Sequence, residues 1–208
     1  MDRLTGLRFK KYVPRLAFAL LWIWAVGVKC VQAAGPAEIG SRIGNFQLPD
    51  VSGTTRSLQL YSGKLVVFVF WSFKCPVSLA YDDRIEGLQN KYGDKGVTVF
   101  RIASAANETS AEIRANTANL KLTVPVLLDS EGNFAEKLGA THTPSVFILD
   151  GSMILRYKGA LDNNKKPGES DRIAYAENAI DSILAGRPVA VSETRPFGCS
   201  IKRQSIRE

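Results

Sequence analysis

Histidine occurs once in the 208 residues, at His142, and cysteine three times, at Cys30, Cys75 and Cys199. A single histidine cannot supply a His-rich metal site, and three cysteines in a chain this long are no disulfide scaffold. The chain also lacks an internal repeat, a low-complexity tract and a basic stripe interleaved with aromatic residues. Solenoids, disorder and nucleic-acid binding are thereby set aside. No apolar run approaches the roughly 20 residues that span a bilayer. What remains is ordinary globular composition, 45% hydrophobic and 23% charged, long enough for one domain to bury a core without staples.

The formal charge of +7 is concentrated at the start of the chain. Arg3, Arg8, Lys10, Lys11 and Arg15 precede the apolar run from Leu16 to Val28, which is followed by Lys29, Cys30 and small residues up to Ala34. A basic stretch, a short apolar stretch and a small-residue site make up a secretory signal peptide. Residues 1–33 are expected to be that signal, cleaved before Ala34, the competing reading being a retained anchor. Lys29 disfavours lipoprotein processing at Cys30. Without residues 1–33 the chain keeps 21 Lys and Arg against 19 Asp and Glu, a net charge of +2, so the basic balance implies no polyanionic partner. It also keeps two cysteines. An even pair in an oxidising compartment, periplasmic or secreted, allows a disulfide or a redox couple.

Residues 34–63 read as an N-terminal hairpin, with extended pieces at Asn45–Leu48 and Ser57–Leu60. Leu65–Trp71 (LVVFVFW) is a continuous apolar, β-rich run, expected as a central strand buried on both faces. Val77, Tyr81, Ile85, Leu88 and Tyr92 then mark one face of a helix stopped by Gly93. Val97–Ala103 is the next strand, completing a right-handed βαβ unit. A helix over about 110–120, a short strand at Val124–Leu128 and a brief helix over Glu131–Leu138 follow. Pro144 opens a strand, Ser145–Leu149, and Asp150-Gly151 turns it into Met153–Lys158 as a hairpin. A final helix carries Ile173, Ala176, Ile180, Ile183 and Leu184 on one face, capped by Ser170 or Asp171. Residues 187–208 form a tail without periodicity. The order predicts an α/β fold, a sandwich with a central mixed sheet and an N-terminal hairpin, spanning residues 34–186.

Cys75 falls just past the central strand, with Pro76 at the first turn of the next helix. Sites form at the carboxyl ends of strands in open α/β sheets, and a thiol at a helix start beside Lys74 favours thiolate. Cys75 is therefore expected to be a reactive nucleophile, against the alternative of a small buried hydrophobe. A lone histidine such as His142, two residues before Pro144, is more often structural or exposed than a proton donor near Cys75.

The string FVFWSFKCP, the helix after it, Thr143-Pro144 before a strand and the hairpin FILDGSMILRYKG resemble the thioredoxin-like superfamily. The resemblance is to its redoxin and peroxiredoxin-like branch, of the alkyl hydroperoxide reductase/thiol-specific antioxidant type, and covers about Ile43 to Leu184. It implies a thioredoxin-like fold in which Trp71 precedes the active turn and Pro144 is a cis-proline. Where thioredoxins carry Trp-Cys-x-x-Cys, this chain has Ser72 in place of the first cysteine. The peroxiredoxin pattern Pro-x-x-x-Thr/Ser-x-x-Cys is matched by Ser72, Cys75 and Pro76 but not by Phe68. Arg156 occupies the place of the strand arginine that holds peroxide and thiolate.

By that resemblance Cys75, Ser72, Arg156 and Cys199 are the catalytic candidates. Trp71, Pro76, Thr143 and Pro144 are the substrate-binding ones. Cys199 could resolve a sulfenic acid on Cys75 by forming a disulfide, or be a static bridge or packed thiol. The implied activity is peroxide reduction, with disulfide exchange on partner proteins or a non-catalytic peptide-binding module as rivals. No cofactor or metal is expected. The substrate would be a peroxide or a protein disulfide, and the partner an external thiol reductant such as a thioredoxin-like protein.

Overall fold

A computed structural model describes residues 35–164 and 171–203. The expected signal segment and cleavage site, and Ser170, lie outside the described residues. The strands β1 (Gln47–Pro49) and β2 (Thr55–Ser57) form the expected N-terminal hairpin, but Leu58–Tyr61 is a 3-10 turn rather than strand. The main sheet has five strands in the order β5-β4-β3-β7-β8, from β3 (Leu65–Phe70), β4 (Val97–Ala103), β5 (Val126–Leu128), β7 (Ser145–Leu149) and β8 (Leu155–Gly159). β3, β4 and β5 are parallel, and β7 runs antiparallel to both β3 and β8. This is the thioredoxin-like mixed sheet.

All six residues of β3 are buried, as a strand covered on both faces must be. Val67, Val69 and the following Trp71 face one core with Ile85, Leu88, Tyr92, Val146, Ile148 and Ile180. Val66, Phe68 and Phe70 face the other with Phe100, Leu127, Phe134, Leu138 and Phe147. The period-two alternation of one strand thus feeds two cores.

The helix expected from Val77 to Tyr92 is two helices, α1 (Pro76–Ala80) and α2 (Asp82–Tyr92). The break lies at Tyr81, whose amide bonds to Ser78 at 3.0 Å and whose buried hydroxyl donates to Asp162 at 2.5 Å. Asp162 is fully buried and also binds Arg84 at 2.7 Å and Arg172 at 2.8 Å. α3 (Ser110–Asn119) begins with a capping box between Thr109 and Glu112, and α4 (Asn133–Leu138) ends at Gly139 in the left-handed region, φ 76°.

The Asp150-Gly151 hairpin is wider than the two-residue form expected. The Asp150 amide bonds to the Ile154 carbonyl, Met153 takes φ 61°, and β8 resumes only at Leu155. Gly151 is committed to packing: an added Cβ would sit 3.1 Å from the Gly63 backbone. The last helix, α5 (Tyr175–Leu184), starts after Asp171, so neither proposed cap serves it. It buries Ala176, Ala179 and Ile180, leaving Ile173 and Leu184 exposed. Ile173 precedes the helix, which explains its misplacement.

The tail is not separate. β9 (Cys199–Ser200) pairs antiparallel with β6 (His142–Thr143), and residues 34–208 cluster as one compact unit. Among the described residues no helix is long and apolar enough to cross a membrane.

Candidate active site

Cys75 stands where the central strand ends and α1 begins, as its N-terminal flanking residue, with extended backbone at φ −100° and ψ 111°. Pro76 follows at the first helical position and is exposed, while Cys75 itself is 1% exposed. The Cys75 thiol lies 3.1 Å from the carbonyl oxygen of Thr143. The Thr143-Pro144 peptide bond is cis, as the resemblance implied.

β9 brings Cys199 to the same place. It sits directly opposite Thr143 in the β6–β9 register, with the Thr143 hydroxyl 3.5 Å from the Cys199 carbonyl. Burial raises the pKa of Cys75, but hydrogen bonds from the Cys199 thiol, the Ser78 amide, the Thr143 hydroxyl and the Cys199 amide more than offset it. The net direction is down from 9.0. Burial, the bond to Cys75 and the charge there push Cys199 up to about 11, with Lys202 opposing. The opposite directions mean that a negative charge shared between the two cysteines is favoured on Cys75.

Other expected residues are placed differently. Ser72 is buried, but its hydroxyl donates to Glu108 at 2.5 Å and accepts from the Lys74 amide, so it does not face the sulfur. Lys74 turns its ammonium to the Asn107 carbonyl and Glu112, and is not among the groups that lower Cys75. Trp71 is fully buried, its indole donating to Asp82 at 2.9 Å with the Arg101 guanidinium 5.5 Å above the ring. It supports the turn and lines no surface. Thr143 and Pro144 do sit beside Cys75, but both are buried against β9. His142 bonds to the neighbouring Thr141 hydroxyl at 2.9 Å.

Arg156 is at the wrong end of the sheet. Ser145 pairs with Phe70 near Cys75, whereas Arg156 lies beyond the Ile148–Tyr157 pair, about three residues or roughly 10 Å further along. Its guanidinium binds Asp150 at 2.7 Å. The same arrangement recurs in the N-terminal hairpin. Asp50 accepts from the amides of Ser52 and Thr54 and from Arg56, just as Asp150 accepts from Ser152, Ile154 and Arg156. The Asp-x-Ser-x-x-x-Arg spacing is shared by both turns, and that spacing was the signal that Arg156 clamps a turn.

Glu108, which the sequence reading passed over, is the unexpected member. It is 8% exposed, holds Ser72 and the Lys74 amide, and keeps its second carboxylate oxygen buried without a partner. Burial pushes its pKa up, with the Ser72 and Lys74 bonds opposing. No short motif announces such a residue, since it comes from the loop before α3, 36 positions after Ser72. No group of three or more potential metal ligands is present among the described residues.

A family model described as AhpC/TSA matches residues 39–158. The thioredoxin-like protein YneN of Bacillus subtilis is 28% identical over 151 residues, which is 71% of this chain and 88% of that protein. The thiol-disulfide oxidoreductase ResA of Bacillus thuringiensis is 31% identical over 124 residues, 59% of this chain and 70% of its own. Among solved structures, a hypothetical protein of Sinorhizobium meliloti superposes with a TM-score of 0.73 at 26% identity, covering 81% of this chain and 96% of that one.

Proposed function

Because the chain belongs to the AhpC/TSA family, we propose that it is a thiol–disulfide oxidoreductase with Cys75 as nucleophile and Cys199 as resolving residue. The observation that carries this reading is the β6–β9 pairing, which sets Cys199 opposite Thr143, whose carbonyl oxygen lies 3.1 Å from the Cys75 thiol. The Cys75 thiolate attacks a substrate disulfide and forms a mixed disulfide, releasing one thiolate. Cys199 then attacks the Cys75 sulfur, releasing the second and leaving a Cys75–Cys199 disulfide. An external dithiol restores both thiols. The similarity to ResA supports the same chemistry.

Peroxide reduction by Cys75 is the second reading, favoured by the family model. It is weakened by the loss of the two groups assigned to hold the peroxide. Arg156 is spent on Asp150, and the Ser72 hydroxyl on Glu108. A non-catalytic peptide-binding role is weaker still, because β9 fills the edge beside Pro144. The signal-like residues 1–33 support an extracytoplasmic, oxidising location, checked by the N-terminal sequence of the protein recovered from a cell-envelope fraction.

The test is turnover with 2-hydroxyethyl disulfide and, separately, hydrogen peroxide, under a coupled dithiol reductant. Cys75→Ser is expected to drop disulfide turnover to the uncatalysed background, with peroxide turnover low in both proteins. Unchanged disulfide turnover in that variant contradicts the assignment, and fast Cys75-dependent peroxide consumption moves it to the second reading.

A further inference from the structure

We infer that the strap formed by residues 194–203 acts as a built-in substrate strand, closing the docking edge beside Cys75 to polypeptides and restricting the protein to small disulfides. This inference rests on the exchange reading proposed above and names the substrate class of that same site.

An extended polypeptide gains specific purchase on a sheet by adding a strand to an exposed edge. The edge next to Cys75 is β6, and β9 already occupies it, with His142 opposite Ser200 and Thr143 opposite Cys199. The position facing Thr143, whose carbonyl meets the Cys75 thiol, is where an incoming cysteine would have to lie. Here that cysteine belongs to the chain itself.

The strap is tied on both sides of Cys199. Upstream, Thr194 bonds through its hydroxyl to Tyr157 at 2.7 Å and to the Ala160 amide at 2.9 Å, while its amide binds Lys158 at 3.1 Å. Downstream, Ile201 is 7% exposed and its amide binds Thr141 at 2.9 Å, Lys202 accepts from Ala106, and Arg203 reaches the carbonyls of Gly132 and Ala140. Two glycines permit this close lay. At Gly198, φ 134°, a Cβ would collide with the Thr143 carbonyl oxygen, and at Gly159, φ 145°, with Thr194. Both backbones lie in a region that glycine alone adopts readily.

The consequence is mutual exclusion. A polypeptide that pairs with His142–Thr143 must lift β9, and Cys199 leaves with it. The mixed disulfide then has lost its resolving thiol. A small disulfide needs no edge. Cys75 attacks one sulfur of RSSR, Cys199 attacks the resulting Cys75–SR bond, and the two RS⁻ groups take up the protons given up by the two cysteines. The balance is one RSSR and two protein thiols giving one protein disulfide and two RSH.

The experiment compares the intact reduced protein with Ile201→Ala and Arg203→Ala, neither of which touches a cysteine. Each reacts with 2-hydroxyethyl disulfide and with scrambled ribonuclease A, and the products are quenched and separated by mass. The ratio of the ribonuclease rate to the small-disulfide rate should be low in the parent and rise about tenfold when the strap is loosened, because opening is a local-unfolding equilibrium. The ribonuclease product should accumulate as an unresolved mixed disulfide on Cys75. Arg203 is exposed, so its variant keeps the test open if Ile201→Ala does not fold. A ratio that is the same in the parent and a folded strap variant overturns the strap proposal while leaving exchange intact. Failure of Cys75 to react with either disulfide overturns the exchange reading itself, and the proposal with it.

Discussion

The two ends of β7 carry similar raw materials and use them in opposite ways. At the Asp150 end an acid, an arginine and a glycine turn satisfy one another, Asp150 accepting from two amides and a guanidinium. At the Ser145 end the Cys75 thiol meets the Thr143 carbonyl opposite Cys199, a buried acid keeps one oxygen unpartnered and a strand from the far end of the chain is held in place. The first end closes a turn. The second gathers donors around Cys75, and those donors outweigh burial and favour its thiolate.

The difference predicts a ranked series of effects. The largest after loss of Cys75 belongs to Cys199→Ala, which removes a donor to the thiolate. Loss of a donor to the charged form disfavours it, so the Cys75 pKa should rise. Thiolate absorbance against pH reads that rise, and the mixed disulfide with 2-hydroxyethyl disulfide should persist instead of resolving. An unmoved titration would show that the two thiols do not interact.

Next comes Ser72→Ala, which strips Glu108 of its shortest bond, 2.5 Å, and leaves both carboxylate oxygens under-satisfied. Stability should fall by about 1–3 kcal/mol, or several degrees in Tm, by calorimetry. A drop no larger than that of an exposed serine would place Glu108 in contact with water.

A smaller effect concerns pH. Glu108 is raised above its ordinary 4.5 by burial, so the folded state binds its proton more tightly than the unfolded state. Its contribution is fully present below the unfolded value and is lost as pH rises through the folded one. Denaturant midpoints measured upward from pH 4.5 should therefore decline less in Glu108→Gln than in the parent. Parallel declines would remove Glu108 as the source.

The smallest belongs to the satisfied end. Arg156 is 47% exposed in its ion pair, so Arg156→Ala should cost no more than about 1 kcal/mol in chemical denaturation. It should also leave disulfide turnover at the parental rate. A large loss of turnover would restore to Arg156 the role that its position denies.

Much of this architecture is legible in the chain. Leu65–Phe70 declares itself because a strand covered on both faces needs an unbroken apolar run, and Val97–Ala103 because its β-rich residues follow at the distance of a crossover helix. The place of Cys75 follows from the strand boundary, and the cis-proline from the resemblance. The misreadings share one cause. Local patterns mark where a residue lies along the chain, whereas Ser72 and Trp71 are decided by partners distant in sequence; Arg156 is the exception, held by Asp150 only six positions away. The break at Tyr81 depends on Asp162, 81 positions away, and Glu108 meets Ser72 across 36. The tail has no periodicity because a two-residue strand needs none, and only the Gly198-Cys199 pair hinted at its close approach to the sheet.

The most direct measurement of the Cys75–Cys199 couple is peptide mass mapping of the reduced protein after one equivalent of 2-hydroxyethyl disulfide, quenched in acid within the first turnover. A peptide linking Cys75 to Cys199, formed through a transient adduct on Cys75 alone, is the predicted result. A stable adduct on Cys75 with Cys199 still a free thiol, or first attack by Cys199, would contradict it.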